Sequence, residues 1–481
     1  MREPISRRDM LRGAATGMVT LALGMETKGA SASGRPPNLL FILADDLGYA
    51  DVACYGRPDL RTPNIDRLAA HGVRFLQAYA NSAVCTATRV ALITGRYQYR
   101  LRIGLEEPLA NNPDVGLEPG HPTLPSLLEK VGYSSTLIGK WHLGVLPKFG
   151  PLKSGYDHFY GFRGGAVDYY SHANAKDDFW DDDVPLHQTG YLTDLLGERA
   201  VQVVEGYAKS HQPFLISLHF NAPHWPWEAP GDEAESRRLR AEGKGLFHLD
   251  GGSQATYQRM IEAMDRQIGR VLGVLEARGL TSNTLVIFTS DNGGERFADT
   301  WPFTGKKTEL LEGGLRIPAI ISWPGRIPRG RTTDQVAITM DWVPTLLAAA
   351  GTVPDPAYPS DGINLLPVLT GKAPSIRRKL YWRYKANAQR AMRDGDLKFL
   401  KILDNTFLFN VVSDPLEKAN LKDRQRDDYR RLAREWYEWN ATMLPEIKDS
   451  FTHGISGDEF ADHYGVKEPS QEPDVPTAPE E

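Results

Sequence analysis

Residues 38–48 read NLLFILADDLG, a continuous apolar run that ends in two aspartates and a glycine. The run is too short for a helix buried on its own, and its apolar residues do not alternate with polar ones. Both features indicate a β-strand that is covered on both faces. Such strands are typical of parallel sheets with helices packed on each side, so this stretch predicts an α/β fold.

Three more apolar runs, at residues 135–138, 214–218 and 285–289, are also followed at once by polar residues. In open α/β sheets, ligands bind in the crevice outside the carboxyl ends of the strands. We therefore expect one crevice to collect the polar residues that follow the four runs. These are Asp45, Asp46, Lys140, His142, His224, Asp291 and Asn292.

The remaining patterns predict how the chain is divided. Apolar residues at helical spacing predict a long helix from Tyr257 to Leu275, and Asp394-Gly395 between two apolar runs predicts a hairpin. A Gly/Pro-rich stretch at 351–374 predicts a boundary. The predicted parts are a leader (1–32), a catalytic domain (33–375), a C-terminal α+β domain (376–465) and a disordered tail (466–481).

The net charge and the N-terminal sequence limit the classes of protein to which the chain can belong. The 56 basic and 61 acidic side chains give a net charge of −5, which offers no electrostatic reason to expect nucleic acid as a partner. Arg7-Arg8, the apolar stretch 11–23 and Ala30-Ser31-Ala32 resemble a twin-arginine export signal. The resemblance implies the twin-arginine translocase as a partner, a periplasmic or secreted location, and no membrane span in the mature chain.

The chain has two cysteines, Cys54 and Cys85, and an even count in an exported protein favours a disulfide on arithmetic alone. The sequence around Cys85, NSAVCTATRVALITGR (81–96), predicts a helix that begins just after it, with Arg89 one turn along. The positive end of such a helix suits an anionic ligand. A catalytic thiolate would need a neighbouring histidine, and this stretch contains none.

Residues 81–96 resemble the signature of the sulfatase family. The matching residues are Cys85, Ala87, Arg89, Leu92, Thr94, Gly95 and Arg96, with Ala87 standing where proline is commoner. In that family a formylglycine-generating enzyme oxidises the cysteine to formylglycine (3-oxoalanine), whose hydrate is the nucleophile. The resemblance therefore implies that Cys85 is the precursor of the nucleophile, that it does not pair with Cys54, and that Arg89 binds the hydrate and the sulfate ester.

Three further motifs match the family. GKWHLG (139–144) implies that Lys140 binds the formylglycine hydroxyl and the sulfate, and that His142 is the base in the step that releases sulfate. NAPHWPW (221–227) implies that His224 contacts the sulfate near the leaving oxygen. The segment 305–318 implies a cation on the sulfate or the leaving alcohol; its spacing from Glu312 selects Lys307, with Lys306 as the alternative.

Asp45-Asp46 and Asp291-Asn292 offer hard oxygen ligands, which Ca²⁺ prefers, whereas each pair alone is also common at helix caps and turns. No cluster of histidine and cysteine suggests zinc. Beside the cysteine motif, the two pairs resemble the calcium site of the family. The implied metal ligands are Asp45, Asp46, Asp291, Asn292 and the modified Cys85.

The resemblance extends from Asn38 to about residue 425. It implies the alkaline-phosphatase/sulfatase-like α/β fold: a large mixed, mostly parallel sheet sandwiched by helices, with a smaller C-terminal antiparallel sheet plus a helix. It implies hydrolysis of a sulfate monoester, with Asp291 helping to deprotonate the attacking hydroxyl. A phosphatase or phosphonate monoester hydrolase of the same superfamily and an inactive sulfated-sugar binder are the alternatives.

The substrate prediction rests on two observations. Residues 164–172 resemble a segment of sulfatases that act on 4-sulfated galactosamine, and four aromatic residues are candidates to stack on a sugar ring or to pack in the core. These four are Tyr169, Trp225, Trp227 and Trp301. We therefore expect a carbohydrate sulfate monoester as the substrate.

Overall fold

The computed structural model describes residues 35–110, 112–174, 176–242, 246 and 251–453. The predicted leader (1–32) and tail (466–481) lie outside the described residues, as does the end of the predicted C-terminal domain. Among the helices of the described part, none is long and apolar enough to cross a membrane. The boundary predicted between residues 375 and 376 stays a prediction.

The order of elements matches the strands, the long helix and the hairpin read from the sequence. In chain order the strands are β1 (Asn38–Asp45), β2 (Val73–Phe75), β3 (Ala78–Tyr79), β4 (Ser134–Lys140), β5 (His158–Phe162), β6 (Trp180–Asp181), β7 (Val184–Pro185), β8 (Phe214–Pro223), β9 (Thr284–Ser290), β10 (Ala319–Ser322), β11 (Arg331–Thr333), β12 (Ala337–Ile338), β13 (Lys379–Tyr384), β14 (Gln389–Asp394), β15 (Leu397–Ile402) and β16 (Asn405–Asn410). The α-helices are α1 (Pro63–Ala70), α2 (Cys85–Thr94), α3 (Leu124–Glu129), α4 (Leu192–Ser210), α5 (Glu233–Ala241), α6 (Gln254–Ala277), α7 (Glu312–Leu315), α8 (Trp342–Ala349), α9 (Leu366–Leu369) and α10 (Arg426–Asn440).

The main sheet has ten strands in the described residues, in the order β11-β2-β10-β9-β1-β8-β4-β5-β6-β7. Its centre, from β9 to β5, is parallel, and β1 lies between β8 and β9. β10 runs antiparallel to β9, and β6 runs antiparallel to β5. The sheet is therefore mixed but mostly parallel at its core, as predicted.

Helices cover both faces of this sheet. Leu40 and Ile42 of β1 point into one hydrophobic core, to which α1, α4 and α6 contribute. Leu39, Phe41 and Leu43 point into a second core, to which α2, α3 and α8 contribute. Both faces of β1 are thus buried, which explains why its sequence is apolar throughout instead of alternating.

A second sheet of four antiparallel strands, β13-β14-β15-β16, follows, and α10 packs on one of its faces. Its other face shares a core with α2, through residues such as Trp382, Leu400, Ala87 and Ala91. Helix α2 therefore lies between the two sheets, and every one of its residues is buried. Together with the main sheet, this arrangement confirms the predicted fold class.

A buried ion network joins the two sheets. Glu312, at the start of α7, accepts hydrogen bonds from Tyr79 (2.7 Å) and Arg316 (2.6 Å). Lys398 of β15 lies 3.0 Å from Glu312 and 2.9 Å from Glu417, and none of the three side chains has exposed surface. Buried charges are tolerated only when opposite charges lie close enough to compensate them.

We expect Lys398→Met to lower the free energy of unfolding by about 3–5 kcal/mol, because it leaves two carboxylates without their shared cation. Urea unfolding followed by fluorescence measures the change. Lys379→Met on β13 is the control, since Lys379 pairs with Glu435 while 44% exposed and should cost less than about 1 kcal/mol. Equal losses in the two variants would contradict this account of the network.

The last described residues, Ser450–His453, return from the C-terminal part to the loop before α3; we call them the C-terminal strap. Thr452 forms a parallel bridge with Glu107. Backbone bonds join Glu107 N to Phe451 O (3.0 Å) and His453 N to Glu107 O (2.6 Å). Glu107 also accepts hydrogen bonds from Lys385 N (2.7 Å) and Thr452 Oγ1 (3.1 Å).

Burial raises the pKa of Glu107 from 4.5 to about 7, against the hydrogen bonds from Lys385 and Thr452 that lower it. The folded state therefore holds this proton more tightly than the unfolded state, and the free energy of unfolding should fall as pH rises from about 4.5 to about 7. Relative to Glu107→Gln, we expect a fall on the order of 2–3 kcal/mol. Denaturant titrations of both proteins across this range measure it; parallel curves would refute the assignment to Glu107.

Candidate active site

The predicted site residues gather at the carboxyl ends of the central strands. Asp45 ends β1, Lys140 ends β4, Asp291 follows β9 and His224 follows β8. Cys85 is the first residue of α2. Asp46 and His142, each just beyond a strand end, have positive φ angles of 62° and 60°. Strained backbone of this kind is concentrated at functional sites.

Acidic and basic side chains pair closely in this cluster. Lys140 Nζ donates to Asp45 Oδ2 and Lys307 Nζ donates to Asp46 Oδ2, both at 2.6 Å. Arg89 donates to Asp291 Oδ2 from Nε (3.0 Å) and Nη2 (2.8 Å). All of these side chains are buried. Each predicted cation is thus matched with one predicted carboxylate.

Arg89 also donates from Nη1 to the carbonyl of Lys140 at 3.2 Å, so it joins the ends of β4 and β9. Lys307 is buried, whereas the alternative, Lys306, is exposed. Asn292 donates to Asp46 Oδ1 at 2.7 Å, and His224 Nε2 lies 3.6 Å from Asp46 Oδ2. Asp46 is therefore the residue on which Asn292, His224 and Lys307 converge.

Asp291 and Asp46 differ in how their negative charge is compensated. Burial raises the pKa of Asp291 to about 6, with a further increase from the charge of Asp45, against the lowering effect of Arg89. At Asp46, burial also acts to raise the pKa, but the neighbouring positive charges, Lys307 foremost, outweigh it and hold the pKa below its usual range. Asp46 is thus the more firmly ionised of the two.

Cys85 and His142 face each other, with 3.3 Å between Sγ and Nδ1. The other ring nitrogen of His142, Nε2, lies 3.0 Å from the carbonyl of Leu109, which can only accept, so Nε2 carries the proton. Burial and then the charge of Lys140 lower the pKa of His142 to about 3. A neutral imidazole therefore presents its unprotonated Nδ1 to Cys85.

Gly165 allows the close packing behind this histidine, since a Cβ there would come within 2.7 Å of His142 Cε1. Cys85 is 2% exposed, and both Cys54 and Cys85 are free. The thiols are thus unpaired, as the cysteine motif implied.

A pocket of about 250 Å³ opens above Cys85. Four predicted residues line it: Cys85, His142, His224 and Lys307. Arg89 and Lys140 lie outside this lining; both are buried and donate to Asp291 and Asp45. Their predicted contacts with the sulfate stay predictions. The rest of the lining comes from other parts of the chain and includes Leu109, Ala166, Asn174, Trp225, Glu295, Phe451 and His453.

Sequence reasoning missed Glu295, whose Oε2 lies 3.8 Å from Lys307 Nζ. Its position three residues after Asn292, in the segment DNGGE, was the available signal. It also missed the Leu109 carbonyl that orients His142, because a backbone acceptor leaves no trace in residue type. The C-terminal strap was missed as well, since nothing in its composition connects it to residues 106–110.

The four aromatic residues that were candidates for sugar stacking differ in their exposure and in whether they line the pocket. Trp225 lines the pocket. Tyr169 is fully buried, and its hydroxyl donates to the carbonyls of Asn221 and His224 at 3.0 and 2.9 Å. Trp227 is 5% exposed and packs against Phe297, so both of these residues belong to the core. Trp301 is 67% exposed.

The cluster has the donor set of a hard-cation site. Ligand atoms of Asp45, Cys85 and Asp291 lie within 4.8 Å of one another, as do those of Asp45, Asp46 and His224. Asp45 Oδ1 and Asn292 Oδ1 are buried and have no hydrogen-bond partner. Buried oxygens are rarely left in this state unless a cation or water is bound there. The residues present therefore fit a calcium ion.

Comparison with known proteins identifies the family. The model of the Sulfatase family matches residues 37–352, and that of the N-sulphoglucosamine sulphohydrolase C-terminal region matches residues 303–438. N-acetylgalactosamine-6-sulfatase of Canis lupus familiaris is 33% identical over 398 residues, covering 77% of this chain and 73% of the relative. Arylsulfatase A of Homo sapiens is 33% identical over 400 residues, covering 76% of this chain and 73% of the relative.

Among solved structures, that of Ps i-CgsB in complex with k-i-k-neocarrahexaose has a TM-score of 0.79 and 29% sequence identity, and the match covers 89% of this chain and 97% of that one. Fold, sequence and the order of the motifs agree. The chain therefore belongs to the sulfatase family and is a sulfatase.

Proposed function

We propose that this sulfatase hydrolyses a carbohydrate sulfate monoester, using formylglycine made from Cys85 and a Ca²⁺ ion held by Asp45, Asp46, Asp291 and Asn292. The observation that carries the proposal is the placement of Cys85. It begins α2, lies with Asp45 and Asp291 in a ligand-sized cluster, and opens onto a pocket that also contains Lys307 and His142.

The local surroundings favour an oxidised residue at position 85 over a catalytic thiolate. A catalytic thiolate would need a histidine that is already protonated beside it in the resting enzyme, whereas burial and then Lys140 lower the pKa of His142 to about 3 and keep its ring neutral. Formylglycine would supply a hydroxyl nucleophile there. The carboxylates of Asp45 and Asp291 nearby suit a residue that coordinates a cation through oxygen.

Calcium at this position would supply positive charge beside the sulfate oxygens. Asp45 Oδ1 and Asn292 Oδ1 are the atoms with unused acceptor capacity, which supports their role as ligands. Arg89 holds Asp291 through two nitrogens, and Lys140 holds Asp45. These two cations orient the carboxylates from the buried side and keep the cluster near charge balance.

The residues that line the pocket have separate proton and charge roles in this proposal. His142 Nδ1, which faces position 85, accepts a proton from that residue in the step that releases sulfate. Lys307 stays charged, because Asp46 and Glu295 outweigh the effect of burial and hold its pKa well above its usual value. Lys307 then stabilises the negative charge that develops on the ester oxygens and the leaving alcohol.

His224 has a different part. Its Nδ1 lies 2.5 Å from the carbonyl of Trp225, so Nδ1 carries the proton and Nε2 points toward Asp46. Burial holds the pKa of His224 well below its usual value, so the ring is neutral. This geometry favours Lys307 over His224 as the group that assists the departing alcohol, with His224 bounding the sulfate site.

Relatives and pocket chemistry support a sugar as the alcohol. One relative is an N-acetylgalactosamine-6-sulfatase, and one structural neighbour was solved with k-i-k-neocarrahexaose bound. Trp225 is an aromatic side chain in the pocket lining, which also contains the polar residues Asn174 and Glu295. Aromatic faces combined with hydrogen-bonding groups are typical of sugar sites.

We also propose a route of maturation. The twin-arginine pattern at residues 1–32, outside the described residues, would direct export to the periplasm or beyond, and a formylglycine-generating enzyme would act on Cys85 before export. Mass spectrometry of the mature chain reads both events, through its N-terminal residue and through the peptide that contains Cys85.

Replacement of the nucleophile is the direct test of function. We expect Cys85→Ala to lower kcat for a sulfate ester by at least about a thousandfold, because the nucleophile is removed, and to leave the melting temperature near that of the wild type. Cys54→Ala is the matched control and should retain activity. Full activity in Cys85→Ala, or an intact thiol at Cys85 in the active protein, would rule out the mechanism; faster turnover of phosphate than sulfate esters would favour the phosphatase alternative.

Metal binding can be tested without turnover. After treatment with a chelator, we expect Ca²⁺ to stabilise the wild type by about 2–3 kcal/mol at a hundredfold excess over its dissociation constant, which thermal unfolding detects as a higher melting temperature. Asn292→Ala should shrink this calcium-dependent shift, because it removes one oxygen ligand. Asn283→Ala changes an asparagine whose side chain bonds to Pro36, away from the cluster, and should keep the full shift.

A further inference from the structure

One wall of the pocket comes from the C-terminal strap. Phe451 and His453 line the pocket together with Cys85 and Lys307. The strap lies beyond residue 438, where the match to the second family model ends, and beyond residue 352, where the first ends. Neither family model therefore extends to this part of the pocket.

The strap is fixed in place by several contacts and does not simply lie on the surface. Phe451 N donates to Glu106 Oε2 at 3.0 Å, and the bridge between Thr452 and Glu107 adds two backbone bonds. Lys385 Nζ donates to the carbonyls of Ile447 (3.1 Å) and Lys448 (3.2 Å) just before it. These contacts tie the strap both to residues 106–107 and to the C-terminal sheet.

The distribution of charge sets the direction in which a substrate enters. The cation and the helix N-terminus that attract an anion lie at one part of the pocket lining, which we call its base, at Lys307 and Cys85. A sulfate ester must then point its sulfate at this base and its alcohol part at the remaining lining. That lining includes Trp225, the segment 108–110, and Phe451 and His453 of the strap.

We propose that Phe451 and His453 of the strap bind the sugar part of the substrate opposite the sulfate-binding base, and so determine which carbohydrate sulfates this enzyme accepts. The proposal rests on the proposed function and extends it to the recognition of the alcohol. Phe451 is an aromatic side chain left 44% exposed in a segment whose backbone is held by hydrogen bonds, which is an arrangement expected of a stacking surface. The exposed imidazole of His453 adds a hydrogen-bonding group beside it.

The test separates sugar binding from sulfate binding in the full-length enzyme. KM and kcat are measured for each of the galactose, galactosamine and glucosamine sulfates that the wild type hydrolyses. The inhibition constant of inorganic sulfate is measured in parallel, since sulfate alone occupies only the base of the pocket. The variants are Phe451→Ala, His453→Ala and the conservative Phe451→Tyr.

We expect Phe451→Ala to raise KM about tenfold while kcat and the inhibition constant of sulfate each change less than about twofold, because one stacking contact is lost. Phe451→Tyr should restore KM, and His453→Ala should raise it for some sugars more than for others. Leu444→Ala is the matched control: Leu444 belongs to the same terminal segment, is 39% exposed and does not line the pocket.

An unchanged KM in both Phe451→Ala and His453→Ala would overturn the proposal. A parallel rise in KM and in the inhibition constant of sulfate would overturn it too, because that pattern indicates collapse of the whole pocket. If the wild type hydrolyses only aryl phosphates or phosphonates, the proposed function fails. The KM of that ester in the Phe451 and His453 variants then still shows whether the strap contacts the alcohol.

Discussion

Compensation of buried charge is the constraint on which the rest of the site depends. Asp45, Asp46 and Asp291 are withdrawn from water at the ends of β1 and β9, where ionised carboxylates are costly unless opposite charges lie close. Lys140, Lys307 and Arg89 supply those charges at 2.6–2.8 Å. The six groups come from five separate parts of the chain, so the cluster can be balanced only when these parts have come together in the fold.

The second constraint is the position of α2. Its residues contact the main sheet on one side and the C-terminal sheet on the other, so the helix has no exposed face. This packing explains its small and apolar residues, and it fixes the N-terminus of the helix, with Cys85, against the carboxylates. The ion network of Glu312, Lys398 and Glu417 holds the same two sheets together beside the segment that carries Lys307.

Much of this was readable from the sequence because the signals are local. The apolar run before Asp45, the hairpin at Asp394-Gly395 and the helix from Tyr257 to Leu275 each depend on neighbouring residues, and the structure has all three. The fold class and the clustering of the strand-end residues follow from the general geometry of α/β sheets. Their individual chemical roles remain predictions.

The rest depends on contacts between distant residues, or on atoms that residue type does not reveal. Lys398 looks like an ordinary strand lysine until Glu312, 86 residues earlier, is seen beside it. Tyr169 and Trp227 are of residue types that often bind sugars, but their burial shows that they belong to the core. The contact of the Leu109 carbonyl with His142 and the contact of the strap with Glu107 join residues that are far apart in the sequence. Only the folded structure therefore reveals them.

The near-complete burial of Cys85 has a consequence for the order of events in the life of the protein. An enzyme that oxidises this side chain must bind the peptide around it, yet residues 83–94 have almost no surface in the folded chain. The oxidation proposed for Cys85 must then occur while α2 is still undocked, during or soon after synthesis. Chains that fold before the oxidation would keep the thiol permanently. The specific activity of a preparation would then depend on the rate of oxidation relative to the rate of folding.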